Sequence, residues 1–222
     1  MSVRLAISVE GQTEERFVKD VLYPHLIDHD VFAEAKIVAT GWTADGKRAK
    51  GGGINSQRVA SELRALLGSY RTGFVTSFYD FYGFEDRRPG ETADALQDRL
   101  ADLLDGPRNL IPYVQLHEFE ALLLSDAAVA ADYFQAPRIE PALRQAVAAA
   151  GGAEKVNDNP TTAPSKRLER WTTDHAPTLM RFTKRTKVRH GAALAERMSL
   201  PIIRQACPRF SDWLTRLENL AA

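Results

Sequence analysis

Cysteine is nearly absent from this sequence. Cys207 stands alone, which excludes an internal disulfide and a cysteine-built zinc site. Long apolar runs are missing as well: none approaches the ~20 residues that span a bilayer. The short apolar opening ends at Glu10 with no small-residue cleavage site after it, so it reads as a buried strand rather than a signal peptide. There is no G-x-S-x-G, and Cys207 precedes Pro208 in a helical tail, so serine- and cysteine-nucleophile chemistry lacks support. Net charge is also missing. Lys+Arg and Asp+Glu are both 29, so the total says nothing about partners. The expectation is a cytoplasmic protein with no membrane segment.

What is present describes a globular α/β chain. Apolar residues make up 44% of 222, enough for one α/β core with a helical extension. Val3–Val9 reads as a buried parallel strand, with Thr13 as the cap of a helix over Glu14–His29. Further strands are expected at 35–39, 73–79 and 110–116, and helices at 56–70, 92–104 and 119–125. The alternation predicts a mostly parallel central sheet flanked by helices. Beyond about 127 strands fade. Helices are expected near 138–150, 165–172, 176–182, 191–198 and 201–219, which divides the chain into an α/β domain over 1–130 and a helical C-terminal extension over 131–222.

Charge is distributed unevenly. Asp80–Asp126 holds eleven acids against four bases, and Pro164–His190 eight bases against two acids. Such a pattern suits a metal site beside a phosphate-binding surface, or simply a solvated helical face. Three acidic groups fall at expected strand ends: Glu10 with Glu14, Asp80, and Glu118 with Glu120. Ligands of open α/β sheets bind at that edge, and Mg²⁺ or Mn²⁺ takes carboxylate oxygens. Each acid also has a bland reading. Glu10 can cap the next helix, Glu14 can sit as a first-turn charge, and Glu85 and Asp86 read as solvated loop residues. Gly41–Arg48 resembles a Walker A spacing, but Arg48 stands where Ser or Thr must hold Mg²⁺, so a P-loop is rejected. The cations Lys47, Arg48 and Lys50 of that loop remain candidates for touching a nucleic-acid backbone. Lys166, Arg167, Lys184, Arg185, Lys187 and Arg189 are the candidates in the tail.

Several segments together carry a family resemblance: Ser8-Val-Glu-Gly-Gln-Thr-Glu-Glu-Arg-Phe-Val18, Tyr79-Asp-Phe-Tyr-Gly83, Gln115-Leu-His-Glu-Phe-Glu-Ala-Leu-Leu-Leu124, Ala163-Pro-Ser-Lys-Arg-Leu168 and Ile203–Leu214. They resemble a bacterial family called domain of unknown function 4276, grouped with the Toprim-like proteins. The resemblance implies a Toprim-like fold, with Glu10 and Glu14 matching the two glutamates of the nuclease branch. Asp80 matches the first Asp of the D-x-D pattern, whose second position is Tyr82 here. Taken with the residue pattern, it leads to expected catalytic roles for Glu10, Asp80, Glu14, Glu118 and Lys166, and expected metal ligation by Glu10, Glu14, Asp80, Glu118 and Glu120. DNA or RNA is the implied substrate, in a bacterial defence or mobile-element setting with a partner ATPase. The rival expectation is a catalytically weak module that binds nucleic acid or docks that ATPase, and Tyr82 favours it.

Overall fold

The structure, a computed structural model, describes every residue except 43–47, 51–52 and 158, and at 39–42 and 48–50 it describes the backbone alone. The chain condenses into two compact units, Met1–Gln115 with Thr215–Ala222, and Leu116–Leu214.

The strands of the first unit are β1 (Val3–Val9), β2 (Val31–Ile37), β3 (Ala39–Trp42), β4 (Arg48–Lys50), β5 (Phe74–Asp80), β6 (Leu110–Ile111) and β7 (Val114–Gln115). A five-stranded sheet has the order β2-β1-β5-β6, with β7 also on β5, and every pairing in it is parallel. β1 lies inside the sheet because Leu5–Val9 can be buried on both faces, and all five residues are. The helices flanking the sheet are α1 (Gln12–Phe17), α2 (Tyr23–Ile27), α3 (Ser56–Ser69) and α4 (Ala93–Asp102). Phe17 of α1 meets Phe78 of β5 with ring centroids 5.8 Å apart.

Local chemistry explains where the structure departs from the expected elements. The helix after β1 is capped by Gly11, not Thr13, which is buried inside α1. A π-helical turn, Val18–Leu22, joins α1 to α2 just before Pro24, whose missing N–H breaks the ordinary ladder. β2 begins at Val31, earlier than expected, because Val31 and Ala33 alternate inward against exposed Phe32 and Glu34. Part of the supposed glycine loop forms the antiparallel ribbon β3–β4. The strand expected at 110–116 splits at Pro112. There Ser77 Oγ both accepts from the Tyr113 N–H and donates to the Tyr113 carbonyl, each at 2.9 Å. Gly73 allows close strand approach: a Cβ there would meet the Arg4 carbonyl oxygen at 2.5 Å.

The second unit holds α5 (Ala127–Tyr133), α6 (Ile139–Ala150), α7 (Pro164–His175) and α8 (Lys187–Ala206), and α9 (Pro208–Glu218) follows. The boundary drawn between 130 and 131 therefore falls inside a helix of this unit. Phe119–Leu124 is a fully buried 3₁₀ helix rather than an α-helix. A short 3₁₀ turn, Thr178–Met180, replaces the helix expected at 176–182. α8 is interrupted at Ser199 (φ 65°), two residues before Pro201, and α9 starts after the Cys207-Pro208 break. Burial pushes the Cys207 thiol up to about 12, so it is an inert core residue. No helix among the described residues is long and apolar enough to cross a membrane.

Candidate functional site

β1 and β5 run side by side with Val9 opposite Phe78. Glu10 follows β1 directly and Asp80 ends β5, so both half-buried acids stand at the carboxyl edge of adjacent parallel strands. Just inside that edge, the Ser8 and Tyr79 hydroxyls lie 2.5 Å apart in the core. Burial raises the Tyr79 hydroxyl far above its usual range, and it stays protonated. Gly83, in the loop after β5, makes room for Glu10: a Cβ at 83 would lie 2.6 Å from Glu10 Oε2. The Glu10 carboxylate thus reaches the loop that Asp80 opens. In the sequence Gly83 was merely the end of a motif, and the space it leaves gives it a role.

Glu14 is buried and reaches back to accept the Gly11 N–H at 3.0 Å, closing the first turn of α1. Tyr82, at the second D-x-D position, is 40% exposed, and the Arg87 guanidinium lies 5.8 Å from its ring and 4.9 Å from that of Phe81. Asp86 is not the solvated loop residue expected. It accepts the Ser56 N–H at 3.0 Å, the Ser56 hydroxyl, and Arg99 at 2.9 Å. Burial pulls its carboxyl upward, but the Ser56 and Arg99 hydrogen bonds outweigh that and hold it below the ordinary carboxylate range. Arg99 ties the start of α3 to α4 through Ser56 and Asp86, and it also binds Glu91 at 2.8 Å.

In the second unit the chain turns through His117 in a left-handed conformation (φ 68°) that bulky residues rarely adopt. Glu118 follows, buried, and its carboxylate accepts the Ser165 N–H at 2.6 Å and the Ser165 hydroxyl at 3.0 Å. This carboxylate occupies the start of α7, beside Lys166 and Arg167. Burial first, and the charge of Glu120 second, push Glu118 up to about 7, while Ser165 and Lys187 pull the other way. Glu120 is buried, with Lys187 Nζ 3.7 Å from its Oε1.

Among the expected nucleic-acid contacts, Lys47 lies outside the described residues, and Arg48 and Lys50 are described in backbone alone as parts of β4. Lys166 lies 3.2 Å from Glu169, and Arg167 donates to the Thr162 carbonyl at 2.6 Å. Lys184 and Arg185 are exposed in the turn before α8, and Arg189 donates to the Leu179 carbonyl at 2.7 Å. Lys166, Lys184 and Lys187 surround a pocket of about 310 Å³ that Ser165, Glu169 and Phe182 also line. A further group, His25, His29 and Glu218, gathers in the first unit. The His-x₃-His spacing was its visible signal.

Fold and site together define an α/β protein with a parallel sheet that carries acidic residues at its carboxyl edge. The chain belongs to the family described as a domain of unknown function (DUF4276), whose sequence pattern it matches over residues 9–218. No curated protein and no solved structure matches it significantly.

Proposed function

We propose that this protein is a Toprim-like, Mg²⁺- or Mn²⁺-dependent phosphodiester enzyme acting on nucleic acid. The observation that carries the reading is the pairing of Glu10 and Asp80 at one edge of adjacent parallel strands, with Gly83 leaving room for the Glu10 carboxylate. Half-buried carboxylates at a sheet edge are the donor set a hard cation takes. Glu10 and Asp80 would hold the ion, with Glu14 behind Glu10 in the same turn. When bound, such an ion neutralises phosphate charge and acidifies a water for attack. In the second unit, the pocket surrounded by Lys166, Lys184 and Lys187 suits a phosphate of a bound nucleic acid. The family resemblance extends the proposal to DNA or RNA as substrate, a partner ATPase, a bacterial defence or mobile-element setting, and a cytoplasmic location.

A second reading has its own observation: position 82 carries an exposed aromatic beside Arg87 instead of a second aspartate. On that reading the protein is a catalytically weak module that binds nucleic acid or docks an ATPase. Cleavage assays on single- and double-stranded DNA and RNA, with and without Mn²⁺, separate the two. The enzyme reading expects Mn²⁺-dependent cleavage that Glu10→Gln reduces by about 100-fold or more, beyond the 10–100-fold scale of losing an outer partner of a metal ligand. Nucleic-acid binding with no cleavage, unaffected by Glu10→Gln, establishes the second reading instead.

A further inference from the structure

We propose that His25, His29 and Glu218 form a second cation site, for Zn²⁺ or a similar borderline metal, separate from the Glu10 and Asp80 carboxylates. The ligand set is the first argument. Imidazole nitrogens with one carboxylate suit zinc-class ions, whereas Mg²⁺ and Mn²⁺ prefer oxygen alone. The placement is the second. His25 lies on α2 and His29 one turn on, in the bend that leads into β2, so the i,i+4 spacing stacks both rings on one side. Their centroids are 5.0 Å apart. Glu218, the last residue of α9, brings its Oε1 to 2.6 Å from His25 Nε2 and 4.0 Å from His29 Nε2. One donor atom from each residue falls within 4.8 Å of the others. Bonds of about 2.0–2.2 Å to a tetrahedral ion put neighbouring ligand atoms roughly 3.3–3.5 Å apart. Widening the His25 contact and tightening the His29 contact by small side-chain rotations meets that spacing.

Electrostatics points the same way. Both α2 and α9 end at this cluster, and the partial negative charge of helix carboxyl ends favours a cation. Side-chain exposures of 29% for His25, 38% for His29 and 11% for Glu218 leave the ion a path in and a fourth position for water. The sheet keeps this site apart from the acidic one. The Asp30 carbonyl accepts the Val3 N–H at 2.9 Å, so the histidines sit by the amino ends of β1 and β2, and Glu10 and Asp80 stand at the carboxyl edge. Without metal, the His25–Glu218 contact is a hydrogen bond sharing one proton; the ion takes that proton's place and fastens Thr215–Ala222 to α2.

The test uses the whole 222-residue chain without a tag. Titration with Zn²⁺ by calorimetry, and with Co²⁺ by visible absorbance, should show one equivalent bound with the bands of a four-coordinate ion and a rise in Tm. His29→Gln alters an exposed side chain outside the core and should weaken Zn²⁺ binding at least tenfold while the metal-free Tm stays put. Combined Glu10→Gln and Asp80→Asn should leave the Zn²⁺ isotherm unchanged. Absence of stoichiometric Zn²⁺ binding, wild-type affinity in His29→Gln, or loss of Zn²⁺ binding in the Glu10/Asp80 variant would each overturn the proposal. In that case the His25–Glu218 contact is simply a hydrogen bond holding the tail.

Discussion

Carboxylates at the sheet edge of the first unit and carboxylates beside helix starts in the second are placed in different ways. In the first, Glu10 and Asp80 stand half-buried at the edge of the sheet, and a glycine keeps space in front of Glu10. In the second, Glu118 and Glu154 are buried against the protein's own donors, and Glu120 is buried with Lys187 Nζ 3.7 Å away. Glu118 takes the start of α7, and Glu154 takes the start of α9 through the Arg209 and Phe210 N–H groups at 2.9 and 3.0 Å. Asp126 likewise accepts two N–H groups at the start of α5. An acid-rich stretch of sequence is therefore weak grounds for a metal site, because helix starts attract the same residues. Position separates the two: Glu10 and Asp80 stand at the carboxyl edge of the sheet, and Glu118, Glu154 and Asp126 cap helix starts.

The largest expected effect attacks the buried side of this contrast. The Glu118 carboxyl is raised from 4.5 to about 7 in the folded protein. A raised acid contributes stability below its unfolded value that is lost as pH rises through the folded one. Wild-type stability should thus decline between about pH 4.5 and 7, by at most about 3 kcal/mol. Glu118→Gln, which removes the charge beside Glu120, should flatten that decline and be the more stable protein at pH 8. Denaturant unfolding at pH 5 and pH 8 measures both. If Glu118→Gln is instead less stable at pH 8, the ionised carboxylate is stabilised in the wild type, and the contrast between the units breaks.

The next effect tests the open side. Mn²⁺ at 100 times its Kd should stabilise the wild type by about 2.7 kcal/mol. Combined Glu10→Gln and Asp80→Asn should abolish this shift, and Glu118→Gln should keep most of it. A shift that Glu118→Gln removes as completely would place the second-unit carboxylate at the ion as well. Two glycines then separate site geometry from fold. Gly83→Ala presses on the movable end of Glu10, so Mn²⁺ affinity should fall about tenfold, about 1.4 kcal/mol, with little change in metal-free Tm. Gly73→Ala presses on the Arg4 backbone and should cost about 1–3 kcal/mol of stability at unchanged affinity. Reversed results would mean that Glu10 does not face the ion.

Periodic, local signals were legible in the sequence. β1, β5, α3, α4 and α6 lie where their apolar spacing puts them. The errors came from prolines and from distance. Pro112 splits a strand that Ser77 restitches from another element, and Pro177 precedes a single 3₁₀ turn where a helix was expected. The edge positions of Glu10 and Asp80 followed from strand order alone. The partners that change a residue's chemistry did not, since Ser165 is 47 positions from Glu118 and Glu218 is 193 from His25. Asp86 shows the same limit within one unit: charge density suggested a solvated loop, and the fold gave it Ser56 and Arg99.

The smallest expected effect lies in the basic segment, where charge count and structure disagree. Read as sequence, Lys184, Arg185 and Lys187 are equal candidates for phosphate contacts, and neutralising all three should lower the salt slope of duplex binding by about three. The structure makes them unequal. Lys187 lies 3.7 Å from the buried Glu120 carboxylate, so much of its charge is balanced inside the protein. Lys184 and Arg185 are exposed in the turn ahead of α8, whereas Lys187, which lines the same pocket as Lys184, is only half-exposed. Each phosphate contact contributes close to 0.9 to the slope of log K against log salt. Replacing Lys184 and Arg185 by Gln should therefore lower the slope by about two and leave the unfolding free energy within about 0.5 kcal/mol of wild type. Lys187→Gln should lower it by less than half a unit. It should also raise the Glu118 carboxyl further, because Lys187 is one of the groups holding it down. A slope change for Lys187→Gln as large as half that of the Lys184/Arg185 variant would show that Lys187 meets phosphate rather than Glu120. An unchanged slope in the Lys184/Arg185 variant would make this segment a solvated face or a protein-docking surface, and the contrast between units would then rest on the carboxylates alone.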